Sequence, residues 1–205
     1  MPILVGGISK EKEVSFGRLL APYLEREDTI CVVSSDFCHW YTHPLFRAMH
    51  RSLTESLRGT RFQYTHYYGS APDPNSDTPP TEHRLSRSCP SPTSLSRFPI
   101  HASIEALDRE ALQLLTIPGP FASVAECHEA FSAYLMRTKN TICGRHPIGV
   151  LLGVLAHLEK AKGGGGDSTE ENKRTVVKWV RYAQSSQCFN VNDSSVSYAC
   201  AYVVF

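Results

Sequence analysis

The sequence has almost no net charge: 21 Lys and Arg stand against 20 Asp and Glu, leaving +1 with the histidines neutral. The cations are scattered rather than striped among aromatics, so neither nucleic acid nor an anionic membrane surface is expected as a partner. No apolar run approaches the roughly 20 residues of a membrane span. The opening Met1-Pro2-Ile3-Leu4-Val5 has no basic n-region, so no secretory leader is read there. Seven cysteines (Cys31, Cys38, Cys89, Cys127, Cys143, Cys188 and Cys200) are odd in number, widely spread and never in a CxxC pair, which argues against a disulfide framework. Together these absences imply a soluble protein of a reducing compartment, cytoplasmic with the nucleus as a second location.

What is present suffices for one globular domain: 205 residues, 41% of them hydrophobic and 20% charged. Pro2 to Gly6 is a short apolar run closed by glycines and reads as a buried strand. Ser9 offers an N-cap to an amphipathic helix from Lys10 to Glu27, carrying Val14, Phe16, Leu19, Leu20, Tyr23 and Leu24 at helical spacing. Thr29 to Val33 is a second β-branched run, so residues 1–40 read as a βαβ portion of an α/β fold. Between Gly69 and Pro99, prolines punctuate a polar stretch too poor in apolar groups to offset its chain entropy, and 69–98 is expected to be disordered. Helices are expected at Ile100 to Leu115, Phe121 to Lys139 and from Pro147 onward, the last ending in a flexible linker over 162–173. Thr175 to Gln184 and Ser195 to Phe205 alternate as two antiparallel strands.

Chemical groups concentrate in two places. Ser34-Ser35-Asp36-Phe37-Cys38-His39-Trp40 follows the Thr29 to Val33 run, where ligands gather at the carboxyl ends of strands in α/β sheets. Cys143-Gly144-Arg145-His146 precedes the Pro147 helix, whose unpaired amides and dipole favour a thiolate at Cys143. Asp36, Cys38 and His39 are metal ligands, an acid/base pair, or the cap and turn residues of a loop. Joined with Cys143 they suggest either a Cys-His-Asp nucleophilic triad, with His39 or His146 as base, or a thiolate, imidazole and carboxylate metal site. Spacing does not separate the two. His43, His50, His66, His83, His101, His128 and His157 lack ligand-like context and read as solvated or packing residues. "YAQSSQC" and "DSSVSYA" put hydroxyls at strand ends, where they serve as turns and caps.

The segments "VVSSDFCHW", "GTRFQYTHYY", "NTICGRHPIGVLL", "AQSSQC" and "DSSVSYA", in that order and with "PILVGG", resemble the Memo family, named for mediator of ErbB2-driven cell motility. The resemblance implies an α/β fold similar to the C-terminal half of the class III non-haem iron dioxygenases: a partial mixed sheet flanked by helices. It further implies a cytoplasmic signalling adaptor and a metal-binding protein, with iron or copper as cofactor. The family's pocket uses two histidines from its N-terminal half and a cysteine of the TICGRHP motif, which falls on Cys143. Asp36 and His39 match an acid and an imidazole of that pocket, and Arg61 matches a basic residue at its rim.

Two departures shape the expectation. The family's upstream histidine motifs are absent, so the chain is expected to be a truncated, inactive form that binds no metal tightly and exposes an apolar edge. Tyr41 to Arg58 has no family counterpart, whereas Gly59 to Tyr68 does; the codons required by Trp40-Tyr41-Thr42 can contain a splice donor and those of Arg58-Gly59 an acceptor, which suggests a retained short intron. Two alternatives stand beside the metal-binding, redox-linked reading. One is an adaptor that binds a phosphotyrosine-containing peptide through His39, Arg61, Arg145 and His146. The other is a hydrolase-like enzyme with catalytic Asp36, His39 and Cys143.

Overall fold

A computed structural model of the chain describes residues 1–40, 66–71, 73, 82–84, 91–163 and 175–205. Among them the elements run α1 (Lys10–Leu24), β1 (His39–Trp40), β2 (His66–Tyr68), β3 (Glu82–Arg84), α2 (Pro92–Arg97), α3 (Ile100–Leu114), α4 (Val124–Thr138), α5 (Arg145–Gly163), β4 (Val176–Gln184) and β5 (Ser195–Val204). The chain is mixed α/β, as expected from the sequence. The four long helices begin within a few residues of their expected positions. No helix among the described residues is long and apolar enough to cross a membrane.

The late strands pair as their alternation requires. β4 and β5 are antiparallel, Val176 opposite Val204 and Gln184 opposite Ser197, with a register shift between Trp179 and Arg181. β1 adds to the other edge of β5 through His39 opposite Val196 and Trp40 opposite Ser195, giving the order β1-β5-β4. The turn between β4 and β5 is built by the hydroxyls and the acid read there: Asp193 Oδ2 accepts from the amides of Phe189 and Asn190, both at 2.8 Å, and the Val196 amide donates to Ser185 Oγ at 3.0 Å. Helices α3, α4 and α5 cover this sheet around a core that includes Trp40, Ile104, Leu107, Phe131 and Leu155.

Three expectations need correction. Residues 2–6 and 29–33, read as buried strands, lie outside any regular element, and Leu4, Ile30 and Val32 are exposed. A β-branched run becomes a strand only when a neighbour takes its backbone groups, and no described strand lies alongside these two. The expected βαβ unit at 1–40 is therefore α1 followed by the two-residue strand β1.

The stretch 69–98, read as disordered, contains β3, paired antiparallel with β2, and the short helix α2. Ser91 caps α2 and Pro92 stands in its first turn, where a missing amide costs nothing. The buried Tyr67 hydroxyl donates to Ser94 O at 3.2 Å, tying the β2 edge to this helix. The segment Tyr41 to Arg58, read from the sequence as a retained intron, Gly59 to Thr65 and most of the 162–173 linker lie outside the described residues.

The third correction concerns the face of α1. Phe16, Leu19 and Tyr23 mark its apolar stripe in the sequence, yet they are exposed, and the helix buries Glu13, Gly17 and Ala21. Gly17 meets Gly153 and Glu13 meets Gly149, so α1 and α5 run parallel with their backbones in direct contact. Small residues let main chains approach, and that approach outweighs the larger side chains facing away.

Candidate metal centre

The site is assembled from two segments more than a hundred residues apart, stitched side by side through their backbones. The Cys143 amide donates to Asp36 O at 3.2 Å, and the His39 amide donates to Thr141 Oγ1 at 2.8 Å. The Gly144 amide donates to Ser35 Oγ at 3.0 Å. This approach needs a glycine: a Cβ on Gly144 would stand 2.3 Å from Ser35 Cβ and 2.7 Å from Ser34 O.

The opposite side of the 36–39 segment is held by β5 and by a buried acid. The Phe37 amide donates to Ser197 O at 2.8 Å, and the Ser197 amide returns to Cys38 O at 3.1 Å. Asp108, fully buried on α3, accepts from the Cys38 amide at 3.2 Å, from Asn140 Nδ2 at 3.0 Å and from the Tyr182 hydroxyl at 3.0 Å. The Ser197 hydroxyl also donates to it. Burial pushes the Asp108 carboxyl up to about 6, and these donors hold it from rising further.

Within this frame Asp36, His39 and Cys143 converge. One donor atom from each, a carboxylate oxygen, a ring nitrogen and Sγ, all lie within 4.8 Å of one another. His39 Nε2 is 3.7 Å from Asp36 Oδ2, and the Asp36 amide donates to Cys143 Sγ at 3.2 Å, which orients the sulfur toward the other two groups. His39 is buried and Asp36 and Cys143 are half-buried, so the cluster lies near the surface of the protein. The other sequestered thiols differ. Burial pushes Cys38 well above the ordinary range, Cys127 up to about 11 and Cys188 up to about 12, so these three remain protonated core groups.

The remaining candidates from the sequence lie elsewhere. Cys38 points into the core. Arg61 lies outside the described residues. Arg145 and His146 line a separate cavity, where His146 Nδ1 is 2.6 Å from Glu13 Oε1. His128, read from the sequence as a solvated or packing residue, is buried with Nε2 at 2.7 Å from Glu13 Oε2. Sequence reasoning passed over Glu13, Asp108 and Asn140. The available signal was a charge on an apolar face: Asp108 follows Ile104 and Leu107 on the buried stripe of α3.

Residues 1–202 match the family described as Memo-like protein. Protein MEMO1 of Homo sapiens is 34% identical over 199 residues, covering 97% of this chain and 46% of the relative. The Danio rerio protein of the same name is also 34% identical over 199 residues, with the same coverage. The MEMO1 family protein MHO1 of Saccharomyces cerevisiae is 33% identical over 203 residues, 98% of this chain and 51% of the relative. The chain thus spans about half the length of the curated relatives it matches. With a profile that covers nearly every residue and the SSDFCHW and TICGRH segments meeting in one cluster, the chain belongs to the Memo-like family.

Proposed function

We propose that this chain binds a transition-metal ion through Asp36, His39 and Cys143, and that iron or copper is the metal. The observation that supports the reading is the convergence of a thiol, an imidazole and a carboxylate within 4.8 Å, from two segments locked together by their backbones. The donors fit such an ion: metal-bound N, O and S atoms at roughly 2.0–2.3 Å from a common centre stand about 3–4 Å apart. The separation of His39 Nε2 from Asp36 Oδ2, 3.7 Å, already stands in that range, and Asp36 is half-buried. Thiolate and imidazole are donors that copper and iron share, and the carboxylate suits iron more than monovalent copper. When bound, the ion would supply redox or Lewis-acid chemistry. The protein's part is to orient Cys143 Sγ through the Asp36 amide, anchor the His39 backbone on Thr141 Oγ1, and keep Asp36 near solvent. A redox-linked or signalling role in cell motility belongs to this proposal as its wider setting.

Anaerobic titration with ferrous or cuprous ion, followed by elemental analysis, tests it. Wild-type protein is expected to retain about one ion, and Cys143→Ser to lose at least tenfold in affinity while keeping its circular dichroism. His128→Ala, away from the cluster, should bind like wild type. Unchanged affinity in Cys143→Ser sinks the proposal.

A second variant reads the scaffold rather than a ligand. Gly144→Ala must push Ser35 away, moving Cys143 from the Asp36 amide. Metal affinity is therefore expected to fall by about tenfold with every donor still present. Wild-type affinity in this variant would show that the close approach does not position the sulfur.

A further inference from the structure

A cavity of about 370 Å³ opens on the other side of the 143–146 turn, lined by Lys10, Glu13, His128, Lys139, Asn140, Arg145 and His146, with Phe131, Leu135 and Met136 as its apolar wall. None of the three candidate metal donors lines it. Its charge balance is distinctive. Among the described residues Glu13 is its one acidic lining group, and both carboxylate oxygens are taken, Oε2 by His128 Nε2 at 2.7 Å and Oε1 by His146 Nδ1 at 2.6 Å. Burial works to raise the Glu13 carboxyl, and the two imidazoles outweigh it and hold the group below its ordinary value, so it is ionised and its charge is spent on the rings. Lys10 is paired with Glu129 outside the cavity lining, whereas no carboxylate is paired with Lys139 or Arg145 among the described residues. The parallel helices α1 and α5 both begin here, adding the positive ends of two dipoles.

A second, independent observation narrows the ligand. Asn140 lines the cavity, is buried, and its Oδ1 has no hydrogen-bond partner among the described residues. The amide cannot be turned round to remove that orphan, because Nδ2 donates to Asp108 Oδ1 at 3.0 Å and faces the Tyr134 hydroxyl at 2.7 Å. A buried acceptor in a cationic cavity asks for an anion that still carries a proton to donate.

We propose that this cavity is a binding site for hydrogen phosphate, with Lys139 and Arg145 facing its charged oxygens and Asn140 Oδ1 accepting its hydroxyl. Sulfate has the same shape and charge but no proton, so it leaves the Asn140 acceptor unmet. The site is independent of the metal reading.

Calorimetric titration of the 205-residue chain with inorganic phosphate and, separately, with sulfate tests the assignment. Saturable phosphate binding is expected, with sulfate weaker by about tenfold or more. Lys139→Asn, which tolerates the left-handed backbone of Lys139 (φ 56°), and Arg145→Gln should each weaken phosphate by about tenfold. Lys12→Gln, on α1 but outside the cavity lining, should not. Equal affinities for phosphate and sulfate would overturn the role of Asn140. Full phosphate affinity in both cation variants, or no saturable binding by wild type, would overturn the site.

Discussion

Replacing Asp108 by Ala is expected to cost about 3–5 kcal/mol of stability, read as a shift in the urea midpoint at constant slope. The magnitude follows from what the carboxylate satisfies. The Cys38 amide, the Asn140 side-chain amide and the Tyr182 and Ser197 hydroxyls all converge on one fully buried group, and alanine leaves these donors without their acceptor inside the core. Asp108→Asn should cost less, about 1–2 kcal/mol, because Oδ1 still serves the Cys38 amide and the two hydroxyls can turn to accept from the new NH2. The pH dependence gives a separate signature. The folded carboxyl sits at about 6, above an unfolded value near 3.9, so the folded state holds the extra proton between those limits. The stability this contributes is complete below about pH 4 and is lost as pH rises through 6, on the order of 3 kcal/mol for a shift of about two units. Glu13 acts in the opposite sense and at lower pH: its folded value is depressed, so its contribution is present above the ordinary carboxylate range and is lost on acidification. Asp108→Asn should therefore flatten the stability profile between pH 4 and 6 while leaving the acid limb in place. An unchanged slope across that interval would show that Asp108 does not titrate there.

Much of this architecture could be read in the residues because the causes were local. Ser9 before an acidic first turn, Pro147 inside the first turn of α5 and the alternation of Val177, Trp179, Arg181 with Val196, Tyr198 each carry their own signal, and the structure places elements on all of them. The sequence also grouped Asp36, His39 and Cys143 as one candidate set, and their donor atoms lie within 4.8 Å of one another. What the sequence concealed was set by partners. Whether 29–33 is a strand depends on a neighbour's backbone, and no described strand supplies one. Arg145 and His146 adjoin Cys143 in the chain, but the turn at Gly144 sends them into a different cavity, where a carboxylate from α1 takes the ring. Asp108 and Asn140 read as ordinary polar residues until the core closes around them.

The small-residue face of α1 leads to the second large effect. In an isolated helix, alanine is favoured over glycine by about 1 kcal/mol, so propensity alone expects Gly17→Ala to stabilise. The packing predicts the reverse. A Cβ on Gly17 would lie 2.4 Å from Gly153 C, 2.5 Å from Val154 N and 2.7 Å from Gly153 Cα, all backbone atoms of a long helix that cannot rotate away. The only relief is to separate α1 from α5, and that separation also draws Glu13 out of reach of His128 and His146, one turn along the same face. We expect Gly17→Ala to lose about 1–3 kcal/mol net and Gly17→Leu more than that, measured by urea denaturation. Gly6→Ala serves as the control, since nothing among the described residues lies within 4 Å of its Cβ position. A further readout distinguishes helix separation from general loosening: Gly17→Ala should weaken phosphate in the α1–α5 cavity more than metal at the Asp36 cluster, which is tied to the 141–144 segment and β5 rather than to α1. Stabilisation by Gly17→Ala would mean that propensity governs this position and that the two backbones are not in contact.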